Sequence, residues 1–387
     1  MSQDTAKPLI IIGSGLAGYT LAREFRKRDT DAPLYIITAD DGAFYSKPML
    51  SNAVARQKQP DELVTASDEK MAQDLQATVL PHTRVESLDP ATHTLRTDSG
   101  DTLAWRDLVL AVGARPIPMQ MAGNATGQIR QVNSLADYRN FRTAIVGHPR
   151  IAILGPGLIG CEFANDLIQG GCRVSVIGPD VAPLGRLVPP AIGTALQQAL
   201  AAIGVDWHLG TSVTTVHQVG DELVLQLASG TELRADVVLS AIGLQPDTRL
   251  ADAAGLATKH GLVVDRLLQA SQPHIYALGD CAEVQGLVLP FVLPLMQCAR
   301  ALAATLAGTP TPVTYPAMPV VVKTPAWPLV VAPPPPGVTG AWDITTLGTG
   351  LRALFTDTEG ALRGFALGGD AGSEKQALAK QLPPLLA

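Results

Sequence analysis

The chain has 387 residues, 47% of them hydrophobic and 17% charged, with a formal net charge of −6. That length exceeds what one hydrophobic core usually serves, so two or three domains are expected. The acidic balance leaves no broad cationic surface for nucleic acid, although it permits a local basic rim.

Residues 1–8 lack the basic and apolar regions of a secretory signal. The longest apolar tract, residues 286–308, is broken by Pro290, Pro294, Gln297 and Arg300 and makes a poor spanning helix. A soluble cytoplasmic protein is expected. Leu9-Ile10-Ile11-Ile12 runs straight into Gly13-Ser14-Gly15-Leu16-Ala17-Gly18 and a helical stretch from Tyr19, which reads as buried strand, glycine turn and helix. Gly13 allows the tight turn, Gly15 admits a pyrophosphate to the backbone, and Gly18 lets helix and strand pack closely. The phosphates would meet free amides at the positive end of the helix dipole.

Residues 33–38 read as the second strand, whose end should carry an acid for ribose hydroxyls. Asp40 is the candidate; the alternative is that Asp40 and Asp41 open a turn at Gly42. A short loop over Phe44–Leu50 carries an aromatic, Lys47 and Pro48. A polar helix over 61–75, a strand over 77–80 and a meander near 87–103 follow. Asp107–Pro116 is another buried strand, with a proline-stiffened exit.

The pattern then restarts. Residues 150–162 form a second strand, glycine turn (Gly155, Gly157, Gly160) and helix, with a strand over 173–177 and a matching exit segment over 237–246. Such a duplication implies two nucleotide-binding domains in one chain. His274–Ala282 reads as a strand ending in Gly279-Asp280 before a helix. Asp280 could accept hydrogen bonds from ligand hydroxyls or cap that helix. The four cysteines, Cys161, Cys172, Cys281 and Cys298, form no dithiol or zinc spacing and read as small buried hydrophobes. No histidine pair has metal spacing, and neither a Gly-x-Ser-x-Gly elbow nor a phosphate-binding Gly-Lys-Ser/Thr loop occurs. After residue 315, the proline-rich stretch 318–328, the run Pro333–Pro336, strands over 342–346, 351–356 and 362–367, and a helix over 373–381 predict a small α+β cap.

Gly13/Gly15/Gly18, the exit segment 108–116, Gly155/Gly157/Gly160, the exit segment 239–246 and Tyr276–Ala282 together resemble the pyridine-nucleotide-disulfide oxidoreductase superfamily over about residues 8–310. The resemblance implies an α/β fold with two Rossmann-like dinucleotide-binding domains, the NAD domain inserted in the FAD domain, plus a small C-terminal α+β domain. The implied boundaries are 1–116 and 244–315 for FAD, 117–243 for NAD(P)H, and 316–387. Gly13, Gly15, Ala17, Gly18, Asp40, Lys47, Pro48, Asp280 and Lys323 would serve FAD. Gly155, Gly157, Gly160, Glu162 and Asp180 would serve NADH, with NADPH left open. Members that use thiols place cysteines beside the flavin in the first domain; here the first cysteine is Cys161, so electrons would leave the flavin directly.

Tyr45–Ser51 together with Val322-Lys323-Thr324-Pro325 closely resembles the rubredoxin–NAD(+) reductases. This resemblance implies Lys47, Glu162 and Lys323 as the catalytic set, with both lysines at the flavin ring and Lys47 paired to Glu162. The alternative for Glu162 is to complement its helix dipole. The implied reaction carries electrons from NADH through FAD to rubredoxin, one at a time. A ferredoxin reductase, an NADH oxidase or a non-catalytic FAD/NADH-binding sensor are the rivals. One departure is Gly178, at the strand end where an acid for the NAD ribose is expected; Asp180 substitutes or nothing does. Arg186 is the nearest arginine after that strand. Arg56, Lys58 and Lys323 are candidates for a basic rim facing an acidic rubredoxin, against the alternative that Arg56 and Lys58 are solvated loop charges.

Overall fold

The computed structural model describes residues 7–147 and 150–387. The expectation about a secretory signal rests largely on residues 1–6, which lie outside the described residues.

Two five-stranded parallel sheets carry the two glycine fingerprints. The first runs Ile275–Ala277, Asp107–Leu110, Leu9–Ile12, Leu34–Ile37, Thr78–Leu80. The second runs Arg130–Gln131, Val237–Ser240, Arg150–Leu154, Arg173–Gly178, Val205–Leu209. Each fingerprint strand is central. Leu9–Ile12 is buried throughout, which is why its sequence shows no polar alternation.

The duplication reaches individual hydrogen bonds. Gly13 N donates to Ile37 O at 2.8 Å, and Gly155 N donates to Ile177 O at 2.8 Å. Ala111 N reaches Ile12 O at 2.9 Å, and Ala241 N reaches Leu154 O at 2.7 Å. Beyond the second strands, Asp40 O accepts from His82 N at 2.8 Å and Asp180 O from Gly210 N at 3.0 Å. The two exit segments, Ala114–Pro116 and Leu244–Pro246, pair antiparallel with each other. The chain therefore leaves the first sheet and returns to it through one two-stranded ribbon.

The C-terminal part is a five-stranded antiparallel sheet, ordered Val320–Val322, Leu329–Ala332, Leu362–Gly368, Gly350–Asp357, Gly340–Leu347. Val320–Val322, next to Pro319, is an edge strand, as the prolines require. Leu385 and Leu386 come back to the start of this part: both amides donate to Tyr315 O, at 2.7 and 3.1 Å, and Tyr315 N donates to Leu386 O at 2.8 Å.

Three local expectations are corrected. The stretch 61–75 is not one helix but a 3-10 turn Pro60–Leu63, a strand Val64–Ala66 and a helix Asp68–Leu75. Ser67 starts that helix by accepting from Lys70 N at 3.2 Å, while Val64 and Thr65 favour extended backbone. The last helix covers only Lys375–Ala379, after a 3-10 turn Gly369–Glu374. Gly279-Asp280 precedes no helix: Gly279–Cys281 is a 3-10 turn followed by the strand Ala282–Val284, and the helix Val292–Leu306 begins later. Asp280 therefore caps no α-helix. No helix among the described residues is long and apolar enough to cross a membrane.

Candidate functional site

In both fingerprints the outer glycines are fixed by packing and the middle one faces open space. A Cβ on Gly13 would lie 2.3 Å from Ala111 O, and one on Gly18 would lie 1.9 Å from Gly13 O. The second set repeats this, with Gly155 2.6 Å from Ala241 O and Gly160 1.9 Å from Gly155 O. Added carbons on Gly15 and Gly157 meet no protein atom within 4 Å. Each middle glycine precedes a helix, Leu16–Arg26 or Leu158–Gln169, whose first amides are free for an anion.

Gly279, at φ +78°, would place a Cβ 2.9 Å from that of Ala17, so Asp280 stands beside the first fingerprint. Its carboxylate has no hydrogen bond or ion pair among the described residues; burial raises its pKa and the Lys47 cation partly offsets this. Lys47 Nζ donates to Asn133 Oδ1 at 2.5 Å, and Asn133 Nδ2 donates to Ala114 O at 2.8 Å. Burial lowers the lysine's pKa, with Asp280 and Asp137 pulling the other way. Arg115, one residue beyond Ala114, has a buried Nε without a partner. An unpartnered carboxylate beside the first fingerprint and the desolvated ammonium that acts on it suit a polar dinucleotide. Asp40 shows the turn-opening role: Oδ1 accepts from Thr38 Oγ1 at 2.5 Å, Ser14 Oγ at 3.0 Å and Gly42 N at 3.1 Å.

Glu162 forms a junction of three chain segments. Its side chain is 0% exposed; Oε2 accepts from Ser51 Oγ at 2.6 Å and from Lys323 Nζ at 2.7 Å, and Oε1 accepts from Lys323 N at 2.9 Å. Lys323 Nζ also donates to Pro48 O and, at 3.0 Å, to Ser51 Oγ. The expected Lys47–Glu162 pair is therefore corrected to Lys323–Glu162. Residues Lys47–Asn52 form a 3-10 helix, in which positions 47 and 51 lie a third of a turn apart around the axis. Ser51 thus faces Glu162 while Lys47 turns to Asn133. The ammonium of Lys323 lies inside this junction rather than on a basic rim. Arg56 and Lys58 are exposed and make no ion pair among the described residues.

Two further residues of the helix Leu158–Gln169 belong to the junction. Asn165 Oδ1 accepts from Ala326 N at 3.1 Å. Asp166 accepts from Val54 N at 3.0 Å and Ala55 N at 2.9 Å. Both are buried, at 1% and 3% exposure. Burial raises the pKa of Asp166, and the backbone donors oppose it. The spacing of residues 162, 165 and 166 puts three buried polar groups on one face of a helix whose other polar side chain is the terminal Gln169, a signal present in the sequence. The cysteines behave as small apolar residues. Burial pushes the thiol of Cys281 up to about 12 and that of Cys298 up to about 11; Cys161 is raised as well, and Cys172 is half-buried. None is poised as a thiolate. Among the described residues no cluster of histidine, cysteine or carboxylate ligands could hold a metal ion.

A family model described as pyridine nucleotide-disulphide oxidoreductase matches residues 7–303. The chain belongs to this family. A second model, described as the rubredoxin binding C-terminal domain, matches residues 312–382 of this family member. The rubredoxin-NAD(+) reductase of Alcanivorax borkumensis is 48% identical over 381 residues, covering 98% of this chain and 99% of that protein. The enzyme of the same name from Acinetobacter baylyi is 46% identical over 387 residues, covering 98% of each chain. Among solved structures, a ferredoxin reductase from Rhodopseudomonas palustris has a TM-score of 0.88 at 26% identity, covering 97% of this chain and 95% of that one. The α/β class with two Rossmann-like sheets is the architecture of the family.

Proposed function

We propose that this chain is an FAD-dependent reductase that takes electrons from NADH and delivers them singly to rubredoxin. The observation that carries the reading is the Glu162 junction. It joins the helix of the second fingerprint to the loop beside the first and to the segment matched by the rubredoxin-binding model. The nearly full-length likeness to the Alcanivorax borkumensis rubredoxin-NAD(+) reductase supports the choice of acceptor. The two sheets and the ribbon between them support an FAD part of 1–116 and 244–315, an inserted NAD(P)H part of 117–243 and a C-terminal part of 316–387. Four unpaired cysteines suit the reducing cytoplasm.

Gly13, Gly15 and Gly18 with the amides of the helix Leu16–Arg26 would hold the flavin dinucleotide's pyrophosphate, and Asp280 would accept from its hydroxyls. Lys47 and Pro48 line the approach, with Lys47 oriented by Asn133. When bound, the flavin supplies the exchange between a two-electron hydride donor and one-electron acceptors. The balance is one NADH and two oxidised rubredoxins giving NAD(+), two reduced rubredoxins and one proton. Gly155, Gly157 and Gly160 would hold the NADH pyrophosphate at the second helix terminus. Glu162 and Lys323 keep the three segments in register around the transfer path, and the buried cysteines take no part. The test is to purify the yellow holoprotein and compare NADH oxidation with rubredoxin, ferredoxin and oxygen alone. Fast turnover with rubredoxin is expected. Turnover with oxygen alone at the same rate would overturn the reading.

A further inference from the structure

The glycine at position 178 has its cause in the fingerprint turn. Gly178 is buried, and its backbone is not in the left-handed region, so conformation does not demand glycine there. A Cβ at this position would lie 2.1 Å from Cδ and 2.5 Å from Cγ of Pro156, the residue between Gly155 and Gly157. The proline is itself pinned, its carbonyl accepting from Leu184 N at 3.0 Å and Cys161 Sγ at 3.5 Å. In the first fingerprint the matching residue is Ser14. Its hydroxyl donates to Thr38 Oγ1 at 3.0 Å, so position 38 has room for a buried side chain.

Two residues past the strand, the paired positions differ again. The Asp40 carboxylate is engaged by Thr38, Ser14 and Gly42. Asp180 has the same backbone anchor, to Gly210 N, but its carboxylate is exposed and carries no hydrogen bond or ion pair among the described residues. It is a free acceptor held at a fixed place beside the second fingerprint.

We propose that Pro156 excludes every side chain from position 178, and that Asp180 is the residue that selects a dinucleotide without a 2′-phosphate. This rests on the reading of the second fingerprint as the NADH site. A carboxylate accepts from both ribose hydroxyls, whereas a phosphate in their place brings like charges together. Proline in the turn thus moves the selecting acid from the last strand residue to the loop.

Titration calorimetry of the oxidised holoprotein with NAD(+) and NADP(+) tests the selection without turnover. The parent protein should bind NAD(+) at least about tenfold tighter than NADP(+), and Asp180→Ala should shrink that ratio about tenfold. An unchanged ratio in Asp180→Ala, with NAD(+) still bound by the parent, overturns the inference alone. Binding of neither nucleotide by the parent overturns the site reading and the inference with it. Thermal melting tests the proline. Gly178→Ala should lower the melting temperature by several degrees, and Pro156→Ala combined with Gly178→Ala should recover most of it. A Gly178→Ala protein that melts with the parent refutes the exclusion.

Discussion

Replacing Lys323 with methionine keeps the length of the side chain and removes the ammonium from a carboxylate that water does not reach. Stranding one member of a buried pair costs about 3–5 kcal/mol. Glu162 keeps two of its three donors, Ser51 Oγ and the amide of residue 323. The expected loss is therefore about 2–3 kcal/mol, near the value of one charged hydrogen bond plus part of the desolvation. The reverse change is milder. With Glu162→Gln the lysine side chain, 29% exposed, can hydrate and still donate to Pro48 and Ser51, so about 1 kcal/mol is expected. Lys47 shares no partner with Glu162, and Lys47→Met combined with Glu162→Gln should be additive within about 0.5 kcal/mol. Lys323→Met combined with Glu162→Gln should instead couple by about 1 kcal/mol or more. Chemical unfolding of the flavin-loaded single and double variants, followed by flavin fluorescence, measures all of these. Coupling of Glu162 to Lys47 rather than to Lys323, or a Lys323→Met protein as stable as its parent, would refute the reasoning.

Three other outcomes are expected. Gly157→Ala should fold normally and raise the KM for NADH, because its added carbon points into open space; Gly160→Ala, whose carbon lands 1.9 Å from Gly155 O, should lower the yield of folded protein, and circular dichroism with kinetics separates the two. Asp166 has a raised folded pKa, so its contribution to stability is full below the ordinary carboxylate range and is lost as pH rises through the folded value. Asp166→Asn should lack that slope, and matched unfolding curves from about pH 4 upward would expose an identical profile if the assignment is wrong. Reversing the exposed Arg56 and Lys58 to glutamate should raise the KM for rubredoxin, most at low salt, while NADH–ferricyanide turnover stays unchanged; a KM insensitive to both the reversal and salt places the docking face elsewhere.

The parts of this molecule legible in its sequence are those where backbone geometry dictates residue type. The glycines at 13, 18, 155 and 160 sit where a single added carbon would strike a carbonyl. The two exit segments announced the duplication, although that they pair with each other as a ribbon depends on tertiary approach. Side-chain direction was the harder quantity. Lys47 and Lys323 both lie in segments marked as flavin-facing; the 3-10 winding of residues 47–52 turns Lys47 away to Asn133, and the C-terminal segment brings both the amide and the ammonium of Lys323 to Glu162. The spacing of Asn165 and Asp166 from Glu162 is visible in the sequence, but their partners are backbone amides, which leave no trace in residue type, so only the structure shows what they hold. Gly178 looked like a missing acid, when its cause is a proline twenty-two residues earlier.

The return of Leu385 and Leu386 to Tyr315 makes the C-terminal sheet a closed loop of chain, fastened where it begins. In such a loop, length is thermodynamically inexpensive: doubling an unstructured connection costs only about 0.6 kcal/mol of closure entropy. Insertions in its turns, such as the one at Gly348-Thr349, should therefore leave the fastening and the Lys323 contact undisturbed. Related chains can diverge in those hairpin tips, and so in the surface they offer a partner, without retuning the junction at which the three segments meet.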